Sequence, residues 1–421
     1  RDRQSREASA SRIFPIHREV DMSPLLRQFR AARAAAAIAL FAGFVALPAA
    51  PAPGDLDPTF GTGGIVRRTF AGSGTDAAYA AAVQPDGRIV VAAESGPTIA
   101  GLFALARYRA DGSPDTDFGC ATPGTCPGKV TSALRTIGDR AQAIALQADG
   151  KIVVTGFVTG TGKSDVAVVR YLPDGTLDAA FAGTGFVTTS IGTTDAVGHA
   201  VAIQPDGKIV VAGRGHNGAN YDFAVLRYLA NGTLDPSFNG TGVVVTPMGG
   251  GHDYAHGVAI AAGGKIVVAG YSHNGANNDV AVARYLADGS LDATFGGTGK
   301  VTTAVGTGDD RGHAVVLQPD GRIVVAGLAF NGANNDFAVL RYTDAGALDA
   351  SFNLTGKATI GIGTHDTAFS VALAGDGRIL VSGMTTMNAG IDFAVVRLHS
   401  NGMPDASFGM DGKALMGAAP A

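Results

Sequence analysis

The sequence predicts an all-β fold, a β-propeller, and three observations carry that prediction. A short signature, Asp57-Pro58-Thr59-Phe60 in its first form, recurs at residues 115–118, 178–181, 235–238, 292–295, 349–352 and 405–408. Its phenylalanines are spaced 58, 63, 57, 57, 57 and 56 residues apart, and a fixed period this long marks a propeller or solenoid. Between signatures, Asp-Gly or Gly-Gly pairs fall on schedule at residues 86–87, 149–150, 206–207, 263–264, 320–321 and 376–377, each flanked by short apolar runs. The chain has 61 glycines and only 16% charged residues, as suits an ordered, turn-rich body of sheets. Its net charge of -4, with lysines and arginines spread at repeat frequency, excludes a nucleic-acid partner on electrostatic grounds.

The first 53 residues follow another logic. From Met22 come Arg27, Arg30 and Arg33, then a 14-residue apolar run over 34–47, then Pro48-Ala49-Ala50-Pro51-Ala52. Charged, apolar and small residues in that order predict a signal peptide over 22–53, the run being short for a membrane span of about 20 residues. An uncleaved anchor or a buried helix is the alternative. Residues 1–21 read as a disordered leader or a mis-set start. Residues 54–421 form a single β-propeller domain with no transmembrane segment after processing, exported to the periplasm, cell surface or extracellular space.

Within a repeat the elements can be taken in order over residues 198–246. Residues 198–204 alternate small and branched side chains and predict a first strand, innermost because alanines at 200 and 202 let neighbouring sheets converge. His199, Val201 and Ile203 share one face. Pro205-Asp206-Gly207 turns the chain into a β-branched second strand, Lys208 to Ala212, and Phe223 to Tyr228 forms a third. Asn231-Gly232 turns it again into the signature, and Val243 to Thr246 supplies a fourth strand. Six complete periods give six four-stranded blades, with Ile65 to Phe70 and Lys413 to Met416 free to fasten the ring. Seven blades is the alternative, and would need about one blade's worth of further strands. Closing the ring protects sheet edges.

The long 63-residue step contains the only cysteines, Cys120 and Cys126, in a loop grown by about six residues. A local disulfide, worth about 2 kcal/mol by loop entropy, agrees with export. A metal or redox pair fits poorly, since no histidine lies near.

These residues carry a family resemblance. The run from Gln204 to Gly213, with Asp222 to Tyr228 and Asn231 to Phe238, resembles the delta-60 repeat over about residues 55–416. The resemblance implies a bacterial, exported β-propeller of unassigned activity and brings no catalytic residues. Repeat 1 departs from it with Gly101-Leu102, which predicts a looser third strand there, and repeat 4 has Ala261-Ala262-Gly263-Gly264 at its hairpin. With no tryptophan in the chain, WD-repeat and sialidase signatures cannot be complete.

Three columns could carry chemistry. His199, His256 and His313 recur 57 residues apart, and three converging imidazoles could hold a divalent transition metal. The same position holds Tyr79, Gln142 and Phe369 elsewhere, which reads more simply as a bulky residue packed between blades. An acidic column, Asp76, Asp139, Asp195, Asp253, Asp310 and Asp366, could line a channel mouth for a cation such as calcium or could stabilise the turn entering each blade. Both columns coincide at Asp253 with His256 and at Asp310 with His313, the best binding candidates. An arginine column, residues 107, 170, 227, 284, 341 and 397, pairs on paper with the signature aspartates as a structural latch. The polar loop His216-Asn217-Gly218-Ala219-Asn220, repeated in the next two blades, could display a surface for sugars or partners. Uniform loops favour a non-enzymatic, monomeric propeller that binds a protein, glycan or envelope component and needs no cofactor. A metal-dependent hydrolase or lyase with its site at the channel mouth is the alternative.

Overall fold

Each Asp-Gly turn in the sequence demands a backbone that only glycine adopts freely. In the computed structural model, Gly207 has φ +83° and Asp206 Oδ1 accepts the Lys208 amide, closing the first hairpin of its blade. The structure describes residues 52–70, 75–96, 101–120, 122–134, 137–160, 162–387 and 390–417. The predicted signal segment therefore lies outside the described residues except for its last two positions. No helix among the described residues is long and apolar enough to cross a membrane.

The described strands form six four-stranded antiparallel sheets, each a meander of consecutive strands, arranged as a β-propeller. The blades span 75–132, 137–189, 197–246, 253–303, 310–360 and 366–417. In blade 3 the strands are Val197–Ile203, Ile209–His216, Tyr221–Tyr228 and Val243–Thr246, close to the sequence expectation. The first strands of successive blades pack on one another and so lie innermost. Cores form between blades: Val210, Phe223 and Phe238 of blade 3, for example, pack with Ile266, Val268 and Tyr285 of blade 4. Large apolar faces on both sides of a sheet are what make each blade need its neighbours.

Three expectations change. Lys413–Gly417 is no spare closing strand but the fourth strand of blade 6, because that sheet has no other. Residues 65–70 form no strand, pairing only through a bridge between Thr62 and Ile65. The third strand of repeat 1 is not loosened: Leu102–Tyr108 pairs in continuous register from Ser95 with Leu102 to Ile89 with Tyr108. The Gly263-Gly264 hairpin of repeat 4 is kept, through a 3-10 turn at Ala262–Gly264. Cys120 and Cys126 are joined by a disulfide, as expected.

The arginine latch is present in all six blades, with Nε of Arg107, Arg170, Arg227, Arg284, Arg341 and Arg397 donating to the signature carboxylate at 2.6–2.9 Å. Each guanidinium also covers the signature phenylalanine ring, 4.5–5.0 Å from its centroid. The latch reaches further than one blade. Arg107, Arg170, Arg227, Arg284 and Arg341 donate through Nη1 to a backbone carbonyl of the following blade, at Pro173, Ala230, Ala287, Asp344 and Ser400. One carboxylate bond and one carbonyl bond to each of these five arginines, with the ring contact, explain how the buried charge is tolerated.

Candidate functional site

Every blade carries a β-bulge in its first strand, and the histidine column sits on it. In blade 3 Ala200 pairs with Ala212 and Gly198 with Gly213, leaving His199 as the extra residue. His256 and His313 are skipped in the same way, opposite Gly270 and Gly327. The glycines are required there, since a Cβ at Gly213 would stand 1.9 Å from the Val197 carbonyl oxygen. A bulge re-aims the side chain it extrudes. It brings the His199 and His256 rings to 4.5 Å and the His256 and His313 rings to 5.5 Å.

All three histidines are half-buried and held neutral. Burial, aided by the positive charge of Arg214 and by repulsion from His313 should that ring protonate, pushes the His199 pKa from 6.5 down to about 3. Burial lowers His256 and His313 as well, in His313 against a raising bond between Nδ1 and the Ala368 carbonyl. Asp253 and Asp310 lie close in sequence but are engaged elsewhere. Asp253 Oδ2 accepts the Met248 and Gly249 amides at 2.7 and 3.1 Å, and Asp310 Oδ2 accepts those of Val305 and Gly306 at 2.6 and 2.9 Å. Both are fully buried, and burial raises the Asp310 pKa. The same bonds recur at Asp76, Asp139 and Asp366, so this column ties the end of one fourth strand to the next first strand. Asp195 does not belong to it. Ala196 fills that place in blade 3, and Asp195 accepts the Ser164 amide as Asp309 accepts that of Asn278. Among the described residues no group of three or more His, Cys, Asp or Glu side chains is disposed to hold a metal.

Around the histidines lies a cluster the sequence reading missed. Tyr221, His252, Tyr254 and Tyr271 form a chain of ring contacts at 5.1–6.0 Å that continues to His256 at 5.4 Å. Arg214 lies over both Tyr221 and Tyr254, at 4.8 and 5.0 Å, and Arg311 lies over Tyr271 at 5.0 Å. These residues come from the start of the first strand, the end of the second and the start of the third in blades 3 to 5. The hairpins His216–Asn220 and its repeat at His273 flank them, stiffened by their own asparagines: Asn217 Oδ1 accepts the amides of Ala219 and Asn220. A depression of about 390 Å³ lined by Asp309, Arg311, Leu328, Phe330 and Asn335 adjoins them.

The cluster was legible only as broken symmetry within strands. Arg214 stands where the other blades have Glu94, Phe157, Tyr271, Leu328 and Met384, and Tyr254 where they have Ala77, Arg140, Val197, Arg311 and Thr367. Its charges differ as well. Arg140 is neutralised by Glu94 at 2.7 Å and Arg311 by Asp309 at 2.8 Å. Arg214 has no carboxylate partner among the described residues, and its Nε and the His199 Nε2 are buried without hydrogen bonds.

Six blades of one meander, latched by the same arginine and aspartate, define a β-propeller repeat protein. Six stretches, 84–118, 147–181, 204–238, 264–295, 318–352 and 374–408, match the family model described as "Domain of unknown function (DUF5122) beta-propeller", so the chain is a member of a β-propeller repeat family. No curated protein matches it in sequence. Among solved structures it is similar to a polysaccharide lyase of family PL25, an ulvan lyase, with 12% identity, 76% of this chain and 80% of that one covered, and a TM-score of 0.44. It is similar also to a GH93 α-L-arabinofuranosidase of Fusarium graminearum, at 12% identity, 76% and 92% coverage and a TM-score of 0.43. A third is Chaetomium thermophilum Sqt1 bound to the N-terminus of ribosomal protein L10, at 12% identity, 78% and 86% coverage and a TM-score of 0.41. At these values the likenesses carry no argument about activity.

Proposed function

We propose that the protein is an exported, non-enzymatic propeller of the delta-60 type that binds an acidic glycan on the face formed by blades 3 to 5. The observation that carries this reading is Arg214, a guanidinium lying against two tyrosine rings with no carboxylate partner among the described residues. Flat aromatic faces suit the apolar faces of sugar rings, and a guanidinium fork suits a uronate carboxylate or a sulfate. Stacking fixes the fork before the ligand arrives, which lowers the ordering cost of binding. Among the described residues the site brings together aromatic rings and a guanidinium, with no activated nucleophile, and binding suits that chemistry better than turnover. The disulfide agrees with an oxidising compartment. The histidine column is taken as the packed floor of this face, its imidazoles neutral and in contact with one another.

Calorimetric titration with an oligogalacturonate and with a neutral galacto-oligosaccharide of equal length tests the reading. Binding of the uronate alone, weakened about tenfold or more by Arg214→Met and by Tyr221→Ala, is the expected result. Absence of uronate binding by the unaltered protein, or binding indifferent to both substitutions, overturns it.

A further inference from the structure

Residues 52–70 repeat the bonds that join the outer part of one blade to the next. Where the signature of each blade meets the next, a backbone amide donates to the residue before a hairpin glycine: Gly119 to Asp174, Ala182 to Asn231, Asn239 to Asp288, Gly296 to Ala345 and Asn353 to Asn401. Gly409, after the last signature, donates in the same way to Pro53, which precedes Gly54, and Gly61, after the first, donates to Asp111 of blade 1. The lysine opening a fourth strand reaches the carbonyl just past the previous fourth strand, as Lys300 reaches Pro247 and Lys357 reaches Ala304. Lys129 of blade 1 reaches Thr69 and Phe70. Phe70 in turn donates its amide to Asp76 as Met248 does to Asp253. These residues thus occupy a seventh position in the ring, holding its hairpin glycine, its signature and its outermost segment; among the described residues none supplies its first three strands.

Two faces are left open by that gap. On blade 6, Phe369, Ile391 and Phe393 are 52, 63 and 64% exposed, whereas Phe337 and Phe223, which match Phe393 in blades 5 and 3, are fully buried. On blade 1, Ile89, Val91 and Tyr108 line a cavity of about 340 Å³ with Phe60 and Phe70, although their counterparts Ile152, Val154 and Tyr171 are fully buried. The latch of this position is also half made. Asp57 Oδ1 accepts the Thr59 amide and hydroxyl, as Asp235 Oδ1 accepts those of Ser237. The Oδ2 that takes an arginine in all six blades takes none at Asp57 among the described residues, and Phe60 lacks the guanidinium that covers every other signature ring.

We propose that the slot between blades 6 and 1 is a docking site for a three-stranded unit of this same repeat carried on another polypeptide, which completes a seventh blade and delivers its arginine to Asp57. The interface required is the one already formed between each pair of neighbouring blades. The described part of a second copy of this chain does not fit, because its first, second and third strands are all committed to blades.

The test mixes the full chain with a fragment corresponding to residues 253–290, the first three strands of blade 4 with Arg284. Native mass spectrometry is expected to show a one-to-one complex, with amide exchange slowed around Phe393 and Val91. Asp57→Ala in the chain or Arg284→Met in the fragment should weaken it about 30-fold, as for other buried charge pairs. Because the free fragment can precipitate, the same residues are also appended after Ala421, where a rise of several degrees in Tm is expected. No complex together with no rise in Tm, a complex indifferent to Asp57, or a dimer of the chain that protects the same faces would each overturn the proposal.

Discussion

The ring of His199 lies 4.5 Å from that of His256 across the boundary between blades 3 and 4, and both imidazoles are kept neutral by burial. An unfolded histidine takes its proton near pH 6.5, while folded His199 resists until about 3. Between those values the unfolded chain binds more protons, so stability is complete above pH 6.5 and falls as the pH drops through the window. Thermal unfolding followed from pH 7.5 to 5 should therefore show a falling Tm. Gln142 fills this position in blade 2, so the triple variant His199→Gln, His256→Gln, His313→Gln is accommodated and should flatten the dependence. An unchanged slope would mean that the histidines titrate normally.

At more acid pH the latches dominate. Burial raises the signature carboxylates, but hydrogen bonds and the arginine outweigh it: Asp349 is brought down to about 2 by Ser351 and Arg341. Asp405 is held at about 2, chiefly by the Ser407 hydroxyl, with Arg397 contributing. A depressed folded pKa gives stability that is whole above the unfolded value of 3.8 and lost toward 2. A second, steeper loss of structure between pH 4 and 2 is expected by circular dichroism, and it should persist in the triple histidine variant.

Removing the arginine of a central latch strands its partner. Arg227→Met leaves the Asp235 carboxylate buried without its cation and the Ala287 carbonyl without a donor, a loss of about 3–5 kcal/mol. Arg397→Met should cost less, because Arg397 is the more exposed and, among the described residues, makes no bond to a following blade. Denaturant melts of the two variants give the comparison, and equal losses would argue against the inter-blade part of the latch.

What could be read from the sequence followed from repetition. Blade number, strand order, hairpin turns, the latch and the disulfide each repeat or sit at the one break in the period, and local turn chemistry and alternation suffice to place them. The bulge under His199 could not be read, because it depends on which residue faces Gly213 across the sheet. Asp195 was misaligned for the same reason: its column is set by the bulge, not by distance from the previous signature. Arg214 and Tyr254 break the repeat at strand ends, where the uniform loop lengths give no sign of it. The seventh position was hidden because Pro53-Gly54 looks like the tail of a signal peptide until Gly409 is seen to bond to it.

The disulfide is a local brace. It closes the loop that lengthens the first period, and Asp117 Oδ1 accepts the Gly124 amide within it. Replacing both cysteines by serine should cost about 2 kcal/mol by loop entropy and leave the far blades untouched. Amide exchange should quicken around residues 116–128 only; exchange quickening in blades 3 to 5 would show that the loop supports more than its own blade.

A quieter contact joins each of blades 2 to 5 to the one before. Tyr285 donates its buried hydroxyl to Thr246 Oγ1 at 2.9 Å, as Tyr171 does to Ser132 and Tyr342 to Thr303. Tyr285→Phe keeps the packing but leaves Thr246 without its donor, at a cost of about 1–2 kcal/mol. Adding Thr246→Val removes the orphaned hydroxyl and should return most of that loss, since an apolar pair of the same shape has no unmet bond. A double variant no more stable than Tyr285→Phe alone would place the energy in the packing of the ring and not in the hydrogen bond.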